Sequence, residues 1–486
     1  MSESVVVVST SDDLKKLLGS PAPAAEADSP DAPVVRSHEL PLPDGTSLRF
    51  DTEAGKMPVK IGTDEAQMFY TAYRRTGVDL ADRPVAFCFN GGPGSSSVWL
   101  HMGGLGPWRV AGDVGDIPRR PRPQPNVETL LTHCDLVFLD PVTTGFSEVP
   151  EDKAKPFTGV KGDVRSVGDA IRRYCTRHQA WGRPIYLIGE SYGTTRAAQL
   201  ASHLLEAYGL SVDGLVLVSV AMQLGTLLYS DVHDVAHVLA VPSFAAAAAY
   251  HGKVQVTDLP AHLAEVEAFA YDVLAPALVR GDRVSATERR ALAEQLAGYL
   301  GVSADFVERC NLRVDLSRFC RELLREQRKT VGRLDARFTG RGPDAQGERL
   351  QHDPSMGPME GVFARAFHTL LGESLGVTDE AAYTILSRDT NRNWTWDDAT
   401  NQALDVADQL RDALNAMPNL RVLVASGRYD LATPYAAADY TIARLGLEPE
   451  VRERVTTRYY DAGHMMYIHE PSRRQLDADI KAFLSQ

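Results

Sequence analysis

The chain has 486 residues, and 51 Lys+Arg against 64 Asp+Glu leave a formal net charge of −13. Nucleic acid and anionic membrane both reward a basic face, so neither is expected as the main partner. Hydrophobic residues at 44% and charged residues at 24% fit a soluble globular protein with a sizeable core. No apolar run approaches the roughly 18 residues that span a bilayer; Val5–Val8 and Ala245–Ala249 are far too short.

Five cysteines, Cys88, Cys134, Cys175, Cys310 and Cys320, form no C-x-x-C pair. An odd number at low density predicts buried free thiols in a reducing compartment. Met1–Lys15 has no basic start followed by an apolar stretch, and it carries Glu3, Asp12 and Asp13. A cytoplasmic protein is therefore expected.

Residues 1–36 read as a flexible leader, because 19–34 is rich in Pro, Ala and Asp without hydrophobic period. Order should begin near Ser37. Asp44-Gly45 between two apolar runs signals a hairpin, and the aromatic run Ala66–Arg75 reads as a further strand. Together they predict antiparallel strands at the start of a sheet. Near-continuous apolar runs follow at Val85–Gly92, Asp135–Val142, Pro184–Ser191, Leu215–Val220 and Leu420–Gly427. Such runs mark strands buried on both faces. Amphipathic stretches at Val160–His178 and Thr194–Tyr208 alternate with them, which predicts an α/β fold with a mostly parallel sheet. The alternation breaks after Met222. Leu263–Leu274, Ala286–Leu300 and Val314–Gln327 read as helices, so 222–367 is expected to be a helical cap inserted into a core formed by 37–221 and 368–486. No fixed-period repeat is visible.

Gly189-Glu190-Ser191-Tyr192-Gly193 is G-x-S-x-G, placed directly after a predicted strand and opening a predicted helix. Flanking glycines permit a tight strand-to-helix turn that exposes the serine hydroxyl. A serine needs a base, and the base needs an orienting acid. Asp430 follows the strand ending at Gly427, and His464 lies in a glycine-marked loop after a short strand at Thr457–Tyr460. Chain order and strand-end positions join Ser191, Asp430 and His464 as a candidate triad. The oxyanion requires two backbone N–H donors: Tyr192 follows the nucleophile, and the Asn90–Gly94 turn offers the second. Glu190 is anomalous, because an ionised carboxylate beside an oxyanion opposes catalysis. If protonated through burial, it could donate to a substrate carboxylate. The plain alternative is a glutamate turned aside into a salt bridge.

NGGPGSSS (90–97), LDPVTTGFS (139–147), GESYG (189–193), GRYDLATP (427–434) and AGHM (462–465) together resemble the serine carboxypeptidase family of α/β hydrolases. The stretch VPSFAAAAAYHGK (241–253) is similar to its bacterial branch. The resemblance implies an α/β-hydrolase fold and the triad Ser191, Asp430 and His464. It also implies an oxyanion hole from Gly92 and Tyr192, and a site at Asn90 and Glu190, with Gly91 beside them, for the free C-terminal carboxylate of a peptide. Activity at acidic pH is implied as well. Three positions depart from the family pattern. Cys88 stands where many members have Trp, and Gly104 where they carry an acid; Ser95 replaces a usual Cys, consistent with lost disulfides.

The expected activity is thus a serine-type carboxypeptidase acting through an acyl-enzyme. An esterase, amidase or acyltransferase on a small metabolite is the alternative raised by Cys88 and Gly104, and a non-catalytic binding module is the remote one. The substrate is expected to be a peptide or small acyl compound. No cofactor and no metal are expected, and a homodimer is compatible with the sequence. His233 and His237 lie at i, i+4, but without a Glu base or a third ligand they read as part of a polar cap face. Asn393-Trp394-Thr395 matches a glycosylation acceptor that a cytoplasmic chain would not use. Trp394 and Trp396 read as core or pocket-wall residues.

Overall fold

The computed structural model describes residues 32–486 except 111, 113–119, 231–232, 343, 345, 398 and 400–401. The expected leader lies almost wholly outside the described residues. The first strand begins at Val34, three residues before the expected onset of order.

Nine strands form one sheet. They are β1 (Val34–Pro41), β2 (Ser47–Ile61), β3 (Asp64–Arg75), β4 (Val85–Phe89), β5 (Asp135–Leu139), β6 (Ile185–Glu190), β7 (Gly214–Val218), β8 (Arg421–Gly427) and β9 (Val455–Tyr460). The spatial order is β1-β2-β3-β5-β4-β6-β7-β8-β9. The first three strands are antiparallel hairpins, and β3 meets β5 antiparallel. From β5 onward every pairing is parallel. The β1–β2 turn forms where Asp44-Gly45 predicted it: Asp44 Oδ1 accepts from Thr46 N at 2.9 Å, and Gly45 has a φ of +82° that suits glycine.

Strands β4 to β8 are buried on both faces because helices cover each side. Helices α1 (Val160–Arg177) and α2 (Tyr192–Tyr208) cover one face. Val164, Val167 and Ile171 of α1 recur at three- and four-residue spacing, and they pack with Leu200 and Leu204 of α2 against Phe87, Leu187 and Leu215. On the other face lie α8 (Gly357–Leu370) and α9 (Glu470–Leu484), whose Phe363, Phe367, Leu476 and Ile480 pack against Cys88, Phe138 and Ile188. This three-layer arrangement, with a parallel sheet behind an antiparallel start, is the α/β-hydrolase fold.

The region after β7 is largely helical. It includes α3 (Val235–Leu239), α4 (Val241–Tyr250), α5 (Leu259–Phe269), α6 (Ala286–Leu300) and α7 (Leu316–Glu322), which bury a core of their own around Phe244, Phe269, Leu296 and Phe319. It also holds a small two-stranded ribbon, Thr330–Val331 with Thr339–Gly340. Helix α8 runs across the expected boundary at 367 and packs with the sheet. Its Phe363 lies 4.9 Å from Trp99 and its Phe367 lies 5.2 Å from His101, centroid to centroid, which ties it to the core side.

Candidate active site

The turn after β6 carries the predicted nucleophile. Ser191 has φ 60° and ψ −128°, a conformation rarely tolerated by a residue with a Cβ. Such strain at a strand-to-helix turn lifts the side chain out of the sheet, and Ser191 is half-buried between fully buried neighbours. Gly189 and Gly193 make the turn possible: a Cβ on Gly189 would lie 2.3 Å from the Gly193 carbonyl oxygen, and one on Gly193 would lie 2.7 Å from the Phe89 carbonyl oxygen.

Ser191 and His464 line the same cleft, of about 780 Å³. His464 Nδ1 lies 2.7 Å from Asp430 Oδ2. Asp430 is fully buried behind the imidazole and satisfied on every side. Oδ1 accepts from the Ala432 and Thr433 amides at 2.8 and 3.0 Å, and Oδ2 accepts from Thr433 Oγ1 at 2.5 Å. Burial opposes a charged imidazole, but the Asp430 carboxylate, with Glu190 further off, outweighs it and raises the His464 pKa above its ordinary value.

The loop carrying His464 is clamped from outside the sheet. His464 N donates to the Leu334 carbonyl at 2.6 Å, Gly463 N donates to Asp335 Oδ2 at 3.2 Å, and Ser219 Oγ donates to the His464 carbonyl at 2.7 Å. Asp335 is itself held by Arg337 at 2.7 Å. The Leu334 and Asp335 contacts, which come from the inserted region, were not legible in the sequence.

Asn90, Gly91, Gly92, Glu190 and Tyr192 all line the cleft. A Cβ on Gly91 would sit 2.3 Å from Tyr192 N, so glycine at 91 leaves that amide uncovered. Tyr192 opens α2, where the first-turn amides have no intrahelical acceptor. Gly92 has a φ of +100°, which turns the backbone tightly at this point. Asn90 Oδ1 accepts from Leu100 N at 3.0 Å, and the Asn90 carbonyl accepts from Arg196 Nη1 at 2.6 Å.

Glu190 is buried and makes no salt bridge among the described residues; its Oε2 has no hydrogen-bond partner. Burial pushes its carboxyl up to about 7, against the pull of His464, Tyr467 and Asn90. The plain reading of a glutamate turned aside into a salt bridge is therefore not what the structure holds.

Trp396 lines the cleft, while Trp394 is buried; both stand edge-on to the Tyr192 ring at 6.2 and 5.5 Å. His237 is buried, with its ring nitrogens at the Val314 and Ser230 carbonyls, 3.2 and 3.3 Å away. The departing positions Cys88 and Gly104 are both buried and neither lines the cleft. Gly104 packs on Arg473, where a Cβ would lie 3.1 Å from Cδ.

Residues 41–226 match the family model described as serine carboxypeptidase. Among curated proteins, the Arabidopsis thaliana serine carboxypeptidase-like 50 is 28% identical over 187 residues, 38% of each chain. Serine carboxypeptidase-like 36 of the same plant is 34% identical over 127 residues, 25% of this chain and 24% of that one. The matched stretches thus span well under half the length of these relatives. Among solved structures, a Mycobacterium smegmatis proline iminopeptidase is 14% identical with a TM-score of 0.38, covering 89% of this chain and 98% of that one. A lipase in its open form has 14% identity and a TM-score of 0.35, over 89% and 98%. The matched stretch, residues 41–226, holds both the Asn90–Gly94 turn and the strained Ser191, and over it the chain is similar to the serine carboxypeptidase family.

Proposed function

We propose that the protein is a serine hydrolase that removes C-terminal residues from peptides. Ser191 attacks the scissile carbonyl. His464 takes the hydroxyl proton and passes it to the leaving amine, and Asp430 fixes the imidazole tautomer through Nδ1 and stabilises the imidazolium. The amides of Gly92 and Tyr192 meet the developing oxyanion. Water then enters, His464 takes its proton, and attack on the acyl-enzyme releases the shortened peptide and restores Ser191.

The observation that carries carboxypeptidase over other acyl chemistry is Glu190. An unpartnered buried carboxyl oxygen at the cleft is costly unless a ligand meets it, and Glu190 Oε2 is such an atom beside Ser191. With its pKa near 7, the group is protonated on the acid side of neutrality and can share that proton with a terminal carboxylate. Cys88 and Gly104, the departures that raise the esterase or acyltransferase alternative, do not themselves line the cleft. No helix among the described residues is long and apolar enough to cross a membrane. All five cysteines are buried and free, which supports a reducing, cytoplasmic setting.

Blocked dipeptides with free and amidated C-termini test the reading. The free acids should be hydrolysed with much the higher kcat/KM. Equal cleavage of both would refute carboxylate recognition, and turnover of esters with no peptide cleavage would favour the small-metabolite alternative.

A further inference from the structure

The inserted region holds a cavity of about 1130 Å³ that meets the cleft at Leu227, Leu228, Arg333 and Ala432. Asn90 and Glu190 line only the cleft, so a substrate anchored there by its terminal carboxylate reaches the cavity with its remaining, N-terminal part. Six arginines line the cavity, against two acids, Asp282 and Asp315. The charge sign is the reverse of the whole chain, whose formal net charge is −13.

Not all of these guanidiniums are available. Arg313 is tied to Asp234 at 2.6 Å, and Arg318 sits 3.4 Å from Asp315. Among the described residues, Arg309 and Arg349 are exposed and carry no ion pair, Arg289 makes a long 3.5 Å bond to the Gly281 carbonyl, and Arg333 stands 3.6 Å from Asp353. Scattered surface arginines would each be solvated alone. Here they converge on one concavity that opens into the reacting site, where low-dielectric walls concentrate the positive field. A guanidinium fork also matches a carboxylate bidentately.

Resting on the peptidase reading above, we infer that this cavity receives an acidic peptide segment N-terminal to the scissile bond. The enzyme is thereby selective for substrates bearing Asp or Glu a few residues before the cleaved bond.

Two measurements test this. Peptides with one cleavable C-terminal pair and a preceding stretch of Glu, Gln or Lys are compared for kcat/KM on the wild type and on the Arg309→Gln/Arg349→Gln double variant. The same peptides, fluorescently labelled, are titrated onto the Ser191→Ala protein, with and without the two arginine changes, at about 50 and about 300 mM salt. The Glu peptide should exceed the Lys peptide by about tenfold or more in kcat/KM and in affinity at low salt. The excess should shrink at high salt and in the arginine variants, while the Gln peptide changes little. Charge-independent binding and cleavage would overturn the inference and leave the carboxypeptidase reading standing. Selective binding of the Glu peptide without cleavage of any peptide would support the cavity's role and overturn the carboxypeptidase reading instead.

Discussion

Arg196 Nε donates to Asp163 Oδ2 at 2.7 Å, and the two side chains are 0% and 2% exposed. This ion pair joins α1 to α2 beneath the Ser191 turn. The guanidinium also lies over the Phe89 and Tyr192 rings at 5.3 and 5.5 Å and donates to the Asn90 carbonyl. It therefore braces both loops proposed to supply oxyanion donors.

Removing one partner strands a buried charge, which typically costs about 3–5 kcal/mol. Arg196→Met should destabilise by that order in denaturant unfolding, and Asp163→Leu should do so too. The double change should cost clearly less than the sum. Strict additivity would mean that the pair is not coupled.

Glu190 sets a pH dependence with a definite sign. Its ordinary value of 4.5 rises to about 7 in the fold, so the folded state binds this proton more tightly. Its contribution to stability is complete below about 4.5 and is lost as pH rises through about 7. Ionisation over the same range should weaken carboxylate capture and raise KM, whereas acidification protonates His464 and lowers kcat. Glu190→Gln should remove the rise in KM and make unfolding free energy flatter with pH between about 4.5 and about 7, by an amount on the order of 1–3 kcal/mol. KM profiles and melts at several pH values check this; superimposable wild-type and variant profiles would count against proton sharing at Glu190.

Gly91 lies against the turn amides. In Gly91→Ala the added methyl would sit 2.3 Å from Tyr192 N and 2.8 Å from the Glu190 carbonyl oxygen, so it covers the amide or pushes the loops apart. The expected loss is about 10²–10³ in kcat, the usual effect of losing one oxyanion donor. Steady-state kinetics on protein shown folded by circular dichroism makes the measurement.

Asp430→Asn keeps the shape and replaces the acceptor at Nδ1. The amide can no longer hold the imidazole in the needed tautomer, and kcat should fall about 10³–10⁴-fold near neutrality. The result is read from initial rates beside a melting curve, because Asp430 also anchors the 430–433 turn through the Ala432 and Thr433 amides.

Much of this was legible in sequence, because local chemistry wrote it there. Continuous apolar runs marked β4 to β8, and the glycines around Ser191 marked a turn that no other residue fits. Strand-end positions singled out Asp430 and His464, which meet at 2.7 Å. Contacts made across long sequence separations were not readable. Arg196 sits in an ordinary helical stretch, and only the fold reveals that Asp163 waits for it on α1. Leu334 and Asp335, which clamp the His464 loop, lie in a segment whose sequence has neither helical nor strand period. Helix α8 looked like part of the insertion because periodicity reports an apolar face without naming what covers it.

The central claim is that Ser191 is a nucleophile activated by His464, and covalent trapping tests it most directly. The protein is treated with a fluorophosphonate and analysed by intact mass and peptide mapping. The account predicts one adduct, on Ser191, lost in Ser191→Ala and strongly slowed in His464→Ala. An unlabelled wild-type protein, or an adduct on another residue, would contradict it.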